Sequence, residues 1–146
     1  MPLSMFALEF RRSSWMMTRD EVIASEQGRV LSEKTLPGQQ QIVFRTVLDG
    51  IPATITYTLE DDKLLAASYT FRWDADRKAF DYMRQDLAGT NGAPSFEKKD
   101  LAGWRLERTE IALAHLSDGT SCVVFWEKAY FRRINGNRGV DDMTQF

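Results

Sequence analysis

A chain of 146 residues, 43% hydrophobic and 27% charged, has the size and composition of one ordinary globular domain. That excludes a disordered chain and a second independent core. Its 19 basic and 21 acidic residues leave a formal net charge of -2, too little to steer the chain onto nucleic acid or an anionic membrane. No run approaches the roughly 18 apolar residues of a membrane span.

A single cysteine, Cys122, forbids an intrachain disulfide, and with His115 as the one histidine it falls short of the four ligands of a zinc site. No metal or other cofactor is expected. In the first ten residues an apolar run broken by Glu9 precedes Arg11 and Arg12, the reverse of the charge-first order of a secretory signal. The chain as given reads as cytoplasmic, or as a cell-envelope protein if a signal has been removed. Residues 1–14 form an N-terminal arm or short strand ahead of a single domain.

Thr18 and Glu21 have the spacing of a capping box, with Met17 and Val22 placed for a hydrophobic staple. Asp20 and Glu21 complement the positive end of the helix dipole, so a first helix runs from about Arg19 to Gln27 and stops at Gly28. Arg29 to Leu36 forms a short strand ended by Pro37-Gly38. Gln40 to Leu48 is a fuller strand, followed by an Asp49-Gly50 hairpin signal.

From Ile51 to Trp73 a period of two extends over two runs. Ile51, Ala53, Ile55, Tyr57 and Leu59 share one face and Thr54, Thr56, Thr58 and Glu60 the other; after the turn at Asp61-Asp62-Lys63, Leu65, Ala67, Tyr69, Phe71 and Trp73 repeat the alternation. Strands near 40–48, 51–60 and 64–73 therefore make a meander. Asp74 or Asp76 caps a second helix reaching Ala88 and stopping at Gly89, with Phe80, Met83 and Leu87 on its apolar stripe. Thr90 to Asp100 has loop composition. Two strands follow, Trp104 to Leu116 and Thr120 to Arg132, joined at Ser117-Asp118-Gly119, with a β-bulge near Arg108 to repair a slip in phase. Residues 135–146 read as a flexible tail. The expected fold is α+β: one antiparallel sheet of five to six strands, a meander plus a hairpin, with two helices packed on one face.

The stretch Trp15-Met16-Met17-Thr18-Arg19-Asp20-Glu21-Val22, a short helix ended by glycine, and the meander after it resemble the opening of a family of small bacterial domains. These are the β-lactamase-inhibitor-protein-like and SmpA/OmlA (BamE-like) domains, in which a G-M-T-x-x-E-V helix start precedes an antiparallel sheet; Met16 stands where the family has glycine. The resemblance implies a helix-covered sheet that binds other proteins, and it brings no catalytic residues.

Residues that could carry chemistry are few. His115 and Cys122 flank the 117–119 turn and are the one base and thiol available for nucleophilic catalysis; the plainer reading is a packed cysteine and a strand-end histidine. The adjacent carboxylates Asp61-Asp62 and Asp141-Asp142 read as solvated turns. The Asn135-Gly136-Asn137-Arg138-Gly139 run has no helix after it to cradle a phosphate. Lys128, Arg132, Arg133 and Arg138, interleaved with Tyr130 and Phe131, have the cation-and-ring composition of single-strand nucleic-acid binders.

Thr54, Thr56, Thr58 and Thr70, with Arg72, line a polar open sheet face suited to a partner protein. The leading expectation is a non-catalytic protein-binding or inhibitor-like module of unknown partner. One alternative is a small-molecule-binding or hydrolytic domain with a pocket between helix two and the sheet, near Tyr82, Arg84, Trp104 and Trp126. A weaker one is nucleic-acid association through the C-terminal basic cluster. Apolar residues on both sides of Val123–Trp126 point to a central strand or to one buried by a second copy in a homodimer.

Overall fold

The computed structural model describes residues 15–26, 29–48 and 50–136; the N-terminal arm, Gln27-Gly28, Asp49 and the tail from residue 137 lie outside them. The elements are α1 (Arg19–Ser25), β1 (Arg29–Leu36), β2 (Gln39–Leu48), β3 (Ile51–Glu60), β4 (Lys63–Phe71), α2 (Lys78–Asn91), β5 (Phe96–Lys98), β6 (Leu101–Arg105), β7 (Thr109–His115), β8 (Ser121–Glu127) and α3 (Lys128–Asn135). All eight strands lie in one antiparallel sheet in the order β1-β2-β3-β4-β8-β7-β6-β5. Two four-stranded meanders therefore meet through their last strands, with β4 pairing β8 from Ala66↔Trp126 to Phe71↔Ser121.

This corrects the expected five to six strands and two helices. The phase slip near Arg108 is a hairpin turn rather than a bulge: Leu106 N–H donates to the Thr109 carbonyl and splits the expected 104–116 strand into β6 and β7. The expected 90–100 loop contains β5, a three-residue strand too short to show a period. The last strand ends at Glu127 instead of Arg132, because the Glu127 carboxylate accepts the backbone N–H groups of Ala129 and Tyr130 and starts α3. Nor does Gly89 end α2, which runs one turn further to a Gly92 cap at φ 84°. An interior glycine costs only about 1 kcal/mol, and Leu87, fully buried, contributes more than that.

On one face of the sheet α1 and α2 cover the main core. Val22 from α1 and Ala79, Phe80, Met83 and Leu87 from α2 pack on Phe44, Ile55, Tyr69, Leu113, Val123 and Phe125, each large side chain contributing about 1.5–3 kcal/mol by leaving water. The capping box forms as the sequence implies: Glu21 N–H donates to Thr18 Oγ1 and Thr18 N–H to Glu21 Oε1. Trp15 anchors the chain ahead of it through its indole N–H, 2.9 Å from Thr109 Oγ1. Meanwhile α3 lies on the opposite face, where Tyr130 joins Leu65 and Ala66, and Phe131 joins Ala112 with Phe96 and Trp126 alongside.

The β3–β4 hairpin holds Asp61 and Asp62 at φ 50° and 58°, the two positive-φ positions of a type I′ turn. A register shift beside it, Thr58↔Ala66 then Leu59↔Leu64, makes Leu65 a bulge residue, so Leu64 faces the main core and Leu65 the α3 side. Asp62 has a second task, since its Oδ1 accepts the Arg19 backbone N–H of α1 at 2.8 Å. Asp61→Gly should therefore raise stability by about 0.5 kcal/mol through relief at positive φ. Asp62→Gly should give no gain, because it removes a helix-start acceptor worth about 1 kcal/mol. Urea-unfolding midpoints separate the two, and an equal gain at both would show that the Asp62 contact contributes nothing.

Candidate functional site

The sheet register places the four threonines together. Arg45, Thr54, Thr70 and Cys122 stand in one cross-strand row, Val43, Thr56, Ser68 and Val124 in the next, and Lys34, Gln41, Thr58, Ala66 and Trp126 in a third. All three rows face away from α1 and α2, because their neighbours along each strand are the main-core residues. Among the described residues, helix α3 covers this face over β7, β8 and the Leu65–Ala66 end of β4 and leaves it open over β2, β3 and the rest of β4. At that margin the helix and sheet enclose a cleft of about 170 Å³. Thr56, Thr58 and Ser68 line the sheet side, Gln39 and Gln41 the rim, and Trp126 and Tyr130 the wall. Gln39 Nε2 donates to Tyr130 Oη across it at 3.4 Å. Burial, and secondarily the charge of Glu60, push the Tyr130 phenol up, so it remains a neutral hydroxyl in the cleft.

Beyond the hydroxyl rows Lys34, Arg45 and Arg72 are exposed and make no ion pair among the described residues. The open face thus has an uncharged centre and a basic margin. Cleft residues Gln39, Gln41, Trp126 and Tyr130 were not legible as a group, because the wall exists only once α3 folds back over the sheet.

The thiol and the imidazole are not brought together. His115 pairs with Ser121 and Cys122 with Ala114, so adjacent register positions send the two side chains to opposite faces. Burial, with the Asp118 charge adding to it, raises the Cys122 thiol from an ordinary 9.0 to about 11. It packs as a small protonated group with little thiolate.

His115 belongs instead to a buried network. Asp74, 2% exposed, accepts the Ala79 and Phe80 N–H groups at 2.7 and 2.9 Å and the Ser121 hydroxyl at 2.5 Å. His115 Nδ1 lies 2.8 Å from Ser121 Oγ. Since Ser121 gives its proton to the carboxylate, Nδ1 carries a proton and donates to Ser121 Oγ. The order is Asp–Ser–His with a fully buried serine: a helix cap, with no nucleophile at a surface. Of the two expected cap residues, Asp74 holds the α2 start while Asp76 accepts only the Lys78 N–H at 3.2 Å.

The other expected groupings disperse. Trp104 is buried beneath α2, its indole N–H 3.0 Å from the Gly92 carbonyl, whereas Trp126 lies on the α3 face. Tyr82 packs on the margin of the main core, and Arg84 is bidentate to Glu97 on the surface. The helix-two pocket therefore does not assemble from these four residues.

In the basic cluster, Lys128 donates to the Leu106 carbonyl and lies 3.3 Å from buried Glu110, and Arg133 pairs with Glu60 and covers the Tyr130 ring. Tyr130 itself is buried. Arg132 is exposed, and Arg138 and Asp141-Asp142 are outside the described residues. Strand β8 is central: Ser121, Val123 and Phe125 are buried on the α2 side, and Cys122, Val124 and Trp126 are half-buried on the other. Trp73 was expected on the inner face of β4; it lies past the strand end and is 92% exposed.

Replacing Asp74 with Asn should cost about 2–3 kcal/mol by weakening charge-assisted bonds to buried donors, whereas Asp76→Asn should change thermal stability by less than about 0.5 kcal/mol. Cys122 gives a pH signature. Its folded pKa exceeds the unfolded value, so its contribution to stability is complete below pH 9 and is lost as pH rises through about 11. Cys122→Ala should flatten urea-unfolding stability across that window, and iodoacetamide at pH 8 should label folded Cys122 about a hundredfold more slowly than the unfolded thiol. No family model, curated protein or solved structure matches the chain.

Proposed function

We propose that this chain is a non-catalytic binding module that engages a partner protein through the open face of β2–β4. The observation that carries this reading is the one-sided placement of α3, which packs on β7, β8 and the Leu65–Ala66 end of β4 and, among the described residues, leaves the rows of Thr54, Thr56, Thr58, Thr70 and Ser68 without a covering element. Strand hydroxyls at that spacing accept and donate without the desolvation cost of charges. Arg45 and Arg72 at the margin favour a partner with an acidic rim and speed its approach. The cleft against Trp126 and Tyr130 receives one uncharged anchor group, because no charged residue lines it and a charge entering it would lose its hydration. The resemblance of Trp15–Val22 to inhibitor-like domains that bind proteins supports the same reading.

A photo-crosslinking residue at Thr56 should capture a specific protein in the native host, and the same residue at Gln85 on exposed α2 should not. With that protein purified, Thr56→Arg should weaken binding at least about tenfold with an unchanged unfolding midpoint. Arg45→Glu with Arg72→Glu should slow association and flatten its salt dependence. Equal capture from both positions, or tight binding by Thr56→Arg, would remove the open face as the recognition surface.

A further inference from the structure

We propose that the loop between β4 and α2 is a second interaction surface, built to take a lysine or arginine side chain from a basic segment of a partner protein. It shares Arg72 with the margin of the threonine face but does not depend on how the threonine rows are read.

Its centre is Trp73, at 92% the most exposed of the large apolar side chains among the described residues. A tryptophan held in water forgoes one of the largest burial gains a side chain can make, and tryptophan is among the residues that dominate binding when a partner covers it. The next residue is the opposite extreme. Asp74 is 2% exposed and ties the loop to the α2 start and to Ser121, while its N–H donates to the Gly119 carbonyl at 3.0 Å. Trp73 thus projects from a backbone that is already fixed, so binding need not supply the ordering of the loop.

Beside the ring is a shallow depression of about 360 Å³, whose rim carries Asp76 and Asp118. Both carboxylates are oriented by their own loops, Asp76 Oδ1 accepting the Lys78 N–H and Asp118 Oδ1 the Thr120 N–H. The Thr120 bonds hold the Asp118 carboxyl below its usual range, which keeps it ionised.

An indole face attracts a cation through its quadrupole, and the two carboxylates alongside attract the same charge. Of the cations nearby, Arg77 is occupied over the Phe80 ring and with Asp100. Arg72 also lines the depression, where the two exposed carboxylates of Asp76 and Asp118 outnumber its one positive charge. The shallow, open shape favours a side chain presented by a larger surface, which can cover the ring, over a free amine that would remain mostly in water.

The test uses the full chain and an acetylated pentalysine peptide, followed by the four indole N–H signals in ¹H–¹⁵N spectra, with the Trp73 signal assigned by Trp73→Phe. Pentalysine should shift the Trp73 signal selectively and saturably, while pentaglutamate should not. Asp76→Asn with Asp118→Asn, which preserves both loop bonds and removes only charge, should weaken binding about fivefold, and Trp73→Ala should weaken it comparably. Asp20→Asn on α1 should leave it unchanged. Pentalysine binding undiminished in both loop variants would show diffuse attraction to an acidic protein and overturn the proposal. Cadaverine binding as tightly as the peptide would overturn it in favour of a free-amine site.

Discussion

The Asp74 carboxylate is the constraint on which the arrangement of both halves depends. It is an acceptor with no proton to give, buried where water cannot solvate it, so every bond to it must come from a donor that the fold delivers. Two come from the first turn of α2 and one from the first residue of β8. Those donors fix where the helix begins, where the last hairpin ends, and how the linker after β4 passes over both. The positive end of the α2 dipole faces the same charge. Exposed tryptophan and buried aspartate are therefore neighbours for one reason: the chain turns sharply there, and a single residue secures the turn.

The parts of the fold legible in the sequence were those in which one run of residues contained its own evidence. The period of two from Ile51 to Leu59, the capping box at Thr18 and Glu21, and the Asp118-Gly119 turn needed no distant partner. β5 was not legible because three residues hold no period, and the β6–β7 turn because Leu106-Glu107-Arg108 contains neither glycine nor proline. Parity along β3 grouped Thr54, Thr56 and Thr58 correctly. The pairing of His115 with Cys122 failed because their relation depends on hairpin register, and a shift of one residue exchanges the faces. α3, at eight residues, is too short to persist alone, so it exists by packing on Trp126, Ala112 and Leu65, contacts spread over three strands.

The two faces of the sheet obey different physics. The α1/α2 face is a continuous aromatic and aliphatic layer in which Tyr69 meets Phe125 edge-on at 6.0 Å and Phe44 meets Tyr57 at 5.7 Å, geometries that aromatic quadrupoles favour. Among the described residues, the other face is divided by α3 into a covered apolar part and an open hydroxyl part. Glu110 marks the division: a carboxylate beneath the helix end, buried with Lys128 and Arg105 at 3.3 and 3.7 Å. Such a trio adds little net stability, but it positions the start of α3 over β7 and so sets the boundary of the open surface.

The seam between β4 and β8 has a consequence for how the chain reaches this state. Every other strand pairing joins sequence neighbours, so each meander can form from short-range contacts. Closing the seam is the one long-range strand pairing among the described residues, and its entropic cost grows only with the logarithm of the intervening length. A molecule laid out in this way folds as two local hairpin stacks followed by a single zippering event. Its slow step should then lie in the meeting of two preformed edges, with Asp74 and Ser121 at one end of the zipper and Ala66 and Trp126 at the other.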